Sequence, residues 1–385
     1  MKETKSICIV SSQYFPHVGG VEQYVDNFTR ELLRLGHSVT ILTSAMEGVD
    51  SYEKDGNLEI FRLPTLQFMG GRFPVLKPSG ELRRFTKNFK KRKFDVMLVN
   101  MRFYFISLYA VRLAKKMKLR CIMLDHGTSH LNTGGKITSK LGEWFEHGIT
   151  WLEKRYCKEF AGVSGATLEW VRHFHINSDT RLYNAVDLEK FEKLKAAKTR
   201  DFRKEFGIPE DDIVISFVGR VTIEKGIRQL VHVVNKINKK RKDVWLIAAG
   251  DGYLMDEMKE VACDHVHMIG QVGMEDVVSL LDTSEIFCLP SFSEGFPTCV
   301  LEAGICDNFV ITTYRGGAKE LITGEEYGII LPDNNEKGLY KALMDVIDRP
   351  DYRTEAARRC HERIASNYTW KQTVKKFLSL IESEG

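Results

Sequence analysis

Two glutamates and a helix start share the segment 293–302, SEGFPTCVLE. The run 286–289 (IFCL) before it reads as a strand, and Pro297 stands where a helix can begin, because its fixed φ suits a first turn. Gly295 lets backbone approach a ligand closely, and the N–H groups of a helix start suit a diphosphate. Glu294 and Glu302 do not suit phosphates, which would repel them; as acceptors they suit hydroxyls, on a ribose or a sugar ring. A second cluster, 217–226 (FVGRVTIEKG), also follows a strand and puts Arg220 and Lys225 on one loop. Two cations there can clamp a diphosphate and stabilise the charge that grows as it leaves. Either cation alone is an ordinary solvated loop residue, and a bare E-x7-E occurs by chance in most long chains. A third element, 15–22 (FPHVGGVE), places Gly19 and Gly20 between a strand and a helix, as an anion-binding turn or simply a tight connection. It is not the G-x-G-x-x-G of a dinucleotide site, which argues against a simple dehydrogenase. The fourth, 124–128 (LDHGT), sets His126 just past a strand, either at a ligand or as a hydrogen-bonded structural histidine.

Strands are what must position these groups. Residues 6–11, 38–43, 95–100, 121–125 and 160–164 are short apolar, β-branched runs, and helical spacing lies between them, as in 21–35 with Val21, Tyr24, Val25, Phe28, Leu32 and Leu35. After a charged, lysine-rich stretch at 185–209 with little strand signal, a second series begins: 212–218, 244–249, 266–269, 286–289 and 310–312. Strands alternating with helices predict parallel sheets covered on both faces. The expected class is α/β: two Rossmann-like, doubly wound domains facing a cleft, with ligands beyond the carboxyl ends of the strands. The expected bounds are 1–190 and 191–367, with an amphipathic C-terminal helix in 368–385 packing back on the first domain.

The 385 residues, 43% hydrophobic and 28% charged, are those of a globular protein, and no apolar run approaches a bilayer span. Eight scattered cysteines form no C-x-x-C pair or zinc-finger spacing, so buried, reduced thiols in a cytoplasmic protein are expected. The net charge of +4 is uneven. Between Arg72 and Arg120 many lysines and arginines, among them Arg92 and Arg102, are opposed in sequence only by Glu81 and Asp95. Phe85, Phe89, Phe94, Phe103, Tyr104 and Phe105 interleave with them. That mixture suits an anionic membrane surface, or else a solvated face whose aromatics lie in the core. No recognition motif supports nucleic acid.

Taken together, S-E-G-F-P with L-E-A and the G-R-x3-EKG element resemble the signature of retaining glycosyltransferases of family 4, which have the GT-B fold. The resemblance runs from about residue 7 to 380, weakest over 50–95. It implies that Arg220 and Lys225 hold the leaving diphosphate, that Glu294 binds donor-sugar hydroxyls, and that Glu302 binds the ribose. His126 matches a histidine that contacts the donor sugar near the reacting centre. Gly19, Gly20, Gly219, Gly295, Phe296, Pro297 and Thr298 fall in its donor-binding loops. Gly252, in AGDG, and Val272, in IGQV, match loops beside the nucleobase, and Gly316, Gly317 and Glu320 keep step with a G-G-x-x-E element. The implied reaction moves a sugar from a nucleoside diphosphate, expected to be UDP, to a hydroxyl of a glycan or lipid-linked acceptor by front-face displacement. No cofactor or metal is expected, since the cations replace Mg²⁺ and no D-x-D element lies in a suitable loop. A nucleotide-sugar 2-epimerase of the same fold and a non-catalytic sugar-nucleotide sensor remain the alternatives.

Overall fold

A computed structural model describes residues 4–68, 73–130, 136–292 and 294–383; Arg72 and Ser293 lie outside the described residues. The chain divides into two compact units, Met1–Tyr183 with Trp370–Gly385, and Asn184–Thr369. The join falls a few residues before 190 because the Val186 N–H bonds Tyr368 O at 2.9 Å, which fastens that stretch to the second unit.

In the first unit the order is β1 (Ser6–Val10), α1 (Gly20–Arg34), β2 (Ser38–Ser44), β3 (Tyr52–Asp55), β4 (Leu58–Leu63), β5 (Thr65–Phe68), β6 (Phe73–Leu76), α2 (Gly80–Phe89), β7 (Val96–Asn100), α3 (Phe105–Met117), β8 (Cys121–Asp125), α4 (Lys136–Glu153), β9 (Glu159–Gly162) and α5 (Gly165–Arg172). Seven strands form one sheet in the order β3-β4-β2-β1-β7-β8-β9, parallel except for β3 against β4; β5 and β6 pair separately. Helices on both faces bury the central strands, which is why β1 and β7 are unbroken apolar runs rather than alternating ones. The C-terminal helix (Trp370–Glu382) packs on α1, Phe377 meeting Phe28 at 5.2 Å and Trp370 meeting Tyr24 at 5.1 Å. Each such buried ring contributes about 1.5–3 kcal/mol.

The second unit runs α6 (Leu188–Ala197), α7 (Phe202–Phe206), β10 (Ile213–Val218), α8 (Ile227–Asn238), β11 (Val244–Ala249), α9 (Met255–Val261), β12 (Val266–Gly270), α10 (Met274–Thr283), β13 (Ile286–Leu289), α11 (Thr298–Ile305), β14 (Phe309–Thr313), α12 (Ala318–Leu321), β15 (Ile329–Leu331), α13 (Glu336–Ile347) and α14 (Pro350–Asn367). Its six parallel strands are ordered β12-β11-β10-β13-β14-β15, the doubly wound order whose crossover lies between β10 and β13. The stretch expected as a bare linker carries α6 and α7, each capped by an aspartate: Asp187 accepts the Lys190 N–H and Asp201 the Lys204 N–H, both at 3.1 Å.

The basic block is partly a surface and partly not. Phe89 and Phe103 are buried, and Phe85, Phe94 and Tyr104 pack against the core, so these aromatics are structural and do not accompany the lysines outward. Phe105 rests on the rings of Phe73 and Phe145. Arg102 is 1% exposed and pairs with Asp125 at 2.5 Å and Glu146 at 3.4 Å, with Phe174 across its guanidinium. Arg92 pairs with Glu59 and Arg120 with Glu159. Left outward are the lysines and arginines of α2, its C-terminal turn and the C-terminal half of α3. All eight cysteines are free, and no helix among the described residues is long and apolar enough to cross a membrane.

Candidate functional site

In the second unit, β10 and β13 are the two strands at the crossover, and their C-terminal loops carry the predicted groups. After β10 a single 3-10 turn, Ile223–Lys225, brings Lys225 back toward the sheet edge. Gly226 has φ +71, and a Cβ there would sit 1.9 Å from Pro290 O, so the turn lies directly on the loop that follows β13. Only glycine permits that approach. Two bonds clip the loops together: the Phe292 N–H donates to Glu224 O at 2.7 Å, and Lys225 Nζ donates to Glu294 Oε1 at 2.5 Å. The side chains of that pair are 16% and 10% exposed, so it is largely out of water and stronger than a surface ion pair. The loop after β14 braces the same segment. Gly316, at φ +56, stands where a Cβ would come 2.4 Å from the carbonyls of Glu294 and Gly295, and the Gly317 N–H donates to Gly295 O at 2.9 Å.

Arg220 is exposed, and its side chain makes no hydrogen bond or ion pair with any described residue. Pro297 is the N-cap of α11, with no side chain on the first N–H groups, and Thr298 opens the helix. Glu302 lies in the second turn with its carboxyl enclosed; burial raises its pKa to about 7, against a small opposing pull from Lys190. Burial is the main reason the Cys299 thiol pKa is raised, with Glu294 and Glu302 adding to the rise and Lys225 opposing it, so all three charges act on this one thiol. Other predicted residues serve the frame. Phe296 is 6% exposed, its ring against Tyr368 and its carbonyl accepting from Asn184 at 3.2 Å, so it positions the loop from behind. Val272 packs on the cluster of Phe202, Ile247 and Leu280. Gly219, whose N–H donates to Ala249 O, and Gly252 lie close-packed in the loops after β10 and β11.

In the first unit Gly19 caps α1 and Gly20 begins it. Glu22 was missed as an occupant of this turn. Its carboxyl lies over Gly19, 3.3 Å from His17 Nδ1, and burial raises its pKa while its own backbone N–H and His17 oppose the rise. His126 follows β8, with Nε2 3.0 Å from Asn100 Oδ1 at the end of β7 and the Tyr24 ring edge-on at 4.9 Å. Asn100 gives its Nδ2 to Val10 O, so its Oδ1 must accept, and His126 carries its proton on Nε2. Burial lowers the His126 pKa to about 3. The ring is therefore neutral, a poor base, and offers Nδ1 as an acceptor. Asn100 and Tyr24 were invisible as site residues, although a polar residue closing the apolar run DVMLVN marks the spot.

Known proteins resemble the chain along its whole length. Residues 198–365 match the family described as Glycosyl transferases group 1, and residues 18–190 match Glycosyltransferase Family 4. A glycosyltransferase of Methanocaldococcus jannaschii is 23% identical over 99% of both chains. The matching component of human phosphatidylinositol N-acetylglucosaminyltransferase is 26% identical over 97% of this chain and 75% of its own. Among solved structures, sucrose-phosphate synthase from Thermosynechococcus elongatus superposes with TM-score 0.75 at 17% identity, covering 98% of each chain. Anabaena HepE in complex with UDP gives 0.74 at 14% identity, over 99% of this chain and 100% of that one. Both halves of the sequence thus match glycosyltransferase families and the fold agrees along the whole length: the chain belongs to the group 1, family 4 glycosyltransferases of GT-B fold.

Proposed function

We propose that this glycosyltransferase takes its sugar from a UDP-sugar, retains the anomeric configuration, needs no metal for transfer, and delivers to a hydroxyl of a lipid-linked or glycan acceptor at the cytoplasmic face of a membrane. The observation that carries the donor assignment is the Lys225–Glu294 pair at the β10/β13 crossover, beside the exposed Arg220 and the enclosed Glu302. Arg220 and Lys225 neutralise the diphosphate as it leaves, the charge stabilisation a divalent ion would otherwise provide. Glu294 and Glu302 accept hydroxyls, of the sugar and the ribose in turn. Glu294, the carboxylate placed at the sugar, is already paired with Lys225 Nζ at 2.5 Å, which favours displacement on one face over attack by a protein nucleophile. A leaving phosphate oxygen then takes the acceptor's proton. His126, neutral with Nδ1 free to accept, orients a sugar hydroxyl. The UDP choice leans on HepE, whose structures hold UDP and UDP-glucose.

Two observations support the acceptor side. One is the human relative, whose name includes phosphatidylinositol. The other lies in the first unit, a groove of about 400 Å³ between α2 and α3, lined by Leu76, Leu82, Phe105 and Leu108 with Arg83, Arg112 and Lys116 at its polar parts. An apolar floor under cations suits a phospholipid or a lipid pyrophosphate.

The test is a product assay with purified protein, UDP-sugars and lipid-linked acceptors, with NMR of the new anomeric proton. A product of retained configuration, at a rate unchanged when Mg²⁺ or Mn²⁺ is added, is expected. Inversion, or dependence on an added divalent ion, refutes the mechanism; an isomerised sugar formed without acceptor makes the protein an epimerase. Flotation with liposomes should show binding only with anionic lipid.

A further inference from the structure

Three histidines that the transfer does not use meet on the first unit. His130 lies in the loop after β8, His147 lies on α4, and His173 closes the C-terminus of α5. One ring nitrogen of each lies within 4.8 Å of the other two, and His147 Nε2 is 3.1 Å from His173 Nε2. Tetrahedral zinc with bonds of about 2.0–2.1 Å sets its nitrogens roughly 3.3 Å apart, so that pair already has the spacing. His147 and His173 are exposed, and small ring rotations bring the third nitrogen in.

The cluster has the support that metal-bound imidazoles need. Glu146, fully buried and also paired with Arg102, accepts from His130 Nδ1 at 3.0 Å. A carboxylate on one ring nitrogen fixes the tautomer and turns the other, Nε2, outward as a ligand. Trp170 stacks on His173 at 5.3 Å and meets His130 edge-on at 4.8 Å, while Phe174 lies 4.7 Å from His147, so all three rings are held on an aromatic wall. Three imidazoles this close cannot satisfy one another: a pair shares one N–H···N bond, and the third nitrogen faces like groups.

We propose that His130, His147 and His173 bind a divalent transition ion of the zinc class, with water in the fourth position. The donor set is three imidazoles without thiolate, which suits Zn²⁺, Co²⁺ or Ni²⁺ rather than Mg²⁺ or Ca²⁺. The ion is structural. It ties the loop that carries His126, four residues before His130, to α4 and α5, and takes no part in transfer. The inference stands on first-unit geometry alone and does not depend on the donor assignment.

Tag-free protein stripped of metal is titrated with Co²⁺, following the visible d–d bands, then back-titrated with Zn²⁺. Saturation at one equivalent per chain, tetrahedral bands and displacement by zinc are expected, together with a zinc-dependent rise in Tm. His147→Ala with His173→Ala abolishes the bands and the rise, and the single His173→Gln weakens both. His232→Ala, at a half-buried histidine of the second unit that pairs with Glu336, leaves them intact. Uptake that needs millimolar ion, does not saturate at one equivalent, or survives the paired substitution overturns the proposal.

Discussion

Glu302 makes the proposed donor site sensitive to pH in a direction that can be worked out. Its ordinary pKa of 4.5 is raised to about 7 in the free protein because its carboxyl is buried. Accepting two ribose hydroxyls, one on each oxygen, favours the ionised form, since a protonated carboxyl turns one of its oxygens into a donor. Nucleotide binding therefore expels a proton below neutrality. If the bound carboxyl returns to its ordinary value, the coupling is at most ~3.4 kcal/mol, at about 1.36 kcal/mol per unit. Affinity is then nearly flat above pH 7.5 and falls roughly 25-fold between pH 8 and pH 5.5.

The ligand must itself be silent in that range. UDP fails, because a terminal phosphate titrates near pH 6 and would give the same sign. A UDP-sugar serves, since both of its phosphates are diesters. Calorimetry at pH 5.5 in two buffers of different ionisation enthalpy should find close to one proton released per ligand. Glu302→Gln should bind with no slope and no release. The free protein shows the mirror image: a raised carboxyl leaves folding unpenalised below pH 4.5, and its stability contribution is lost as pH rises through 7. A pH-independent affinity for the UDP-sugar, or the same slope in Glu302→Gln, refutes the assignment of Glu302 to the ribose.

Three other substitutions separate roles. Arg220→Ala, at an exposed residue whose side chain no described group pairs with, should lower turnover about 10²–10³-fold and leave the melting temperature unchanged; normal turnover would remove it from the site. Gly226→Ala should cost more than about 3 kcal/mol by urea unfolding, since its Cβ would strike Pro290 O and its φ of +71 is left-handed. His126 has a lowered folded pKa of about 3, so its contribution to stability is present above its unfolded value of 6.5 and is lost as pH falls from there toward 3. His126→Gln should move the acid midpoint of unfolding downward by circular dichroism, and an unmoved midpoint would mean that the ring is not buried neutral.

What the sequence disclosed was governed by how local each signal is. Strands of the parallel sheets are buried on both faces, so runs such as SICIV, VMLVN and IVISFV stand out, and the loops after them could be placed by order alone. The glycines of EKG and YRGG carried real information, because each marks a backbone approach that a Cβ would block. Side-chain direction was not local. Phe296 sits among ligand-loop residues yet turns inward to Tyr368, and Arg102 sits in a run of surface bases yet is buried on Asp125. Nothing in the sequence neighbourhood of either says so, since Tyr368 lies 72 residues from Phe296 and Asp125 lies 23 from Arg102. The helices α6 and α7 escaped notice for a different reason. Each buries a single phenylalanine, Phe191 and Phe202, so the hydrophobic period is nearly absent and only the aspartate caps announce them.

The cation pair at the crossover divides its work unequally, and that division is itself open to measurement. Lys225 is held at 2.5 Å by Glu294, with most of both side chains out of water, so part of its charge is committed before any ligand arrives. Removing one partner from such a pair leaves an uncompensated charge, which costs up to about 3–5 kcal/mol when burial is complete and less here, where both retain some exposure. Lys225→Ala therefore disturbs the proposed sugar subsite through Glu294 as well as the proposed diphosphate site, whereas Arg220, exposed and outside that pair, is proposed to act on the diphosphate alone. Two ligands distinguish the routes. Arg220→Ala should weaken UDP and a UDP-sugar by the same factor, while Lys225→Ala should weaken the UDP-sugar more, and Glu294→Gln should weaken the UDP-sugar and leave UDP almost unchanged. Equal losses for both ligands in the Lys225 and Glu294 variants would show that Glu294 does not hold the sugar. The pair would then be only a clip between the β10 and β13 loops, a task that the Phe292–Glu224 backbone bond already shares.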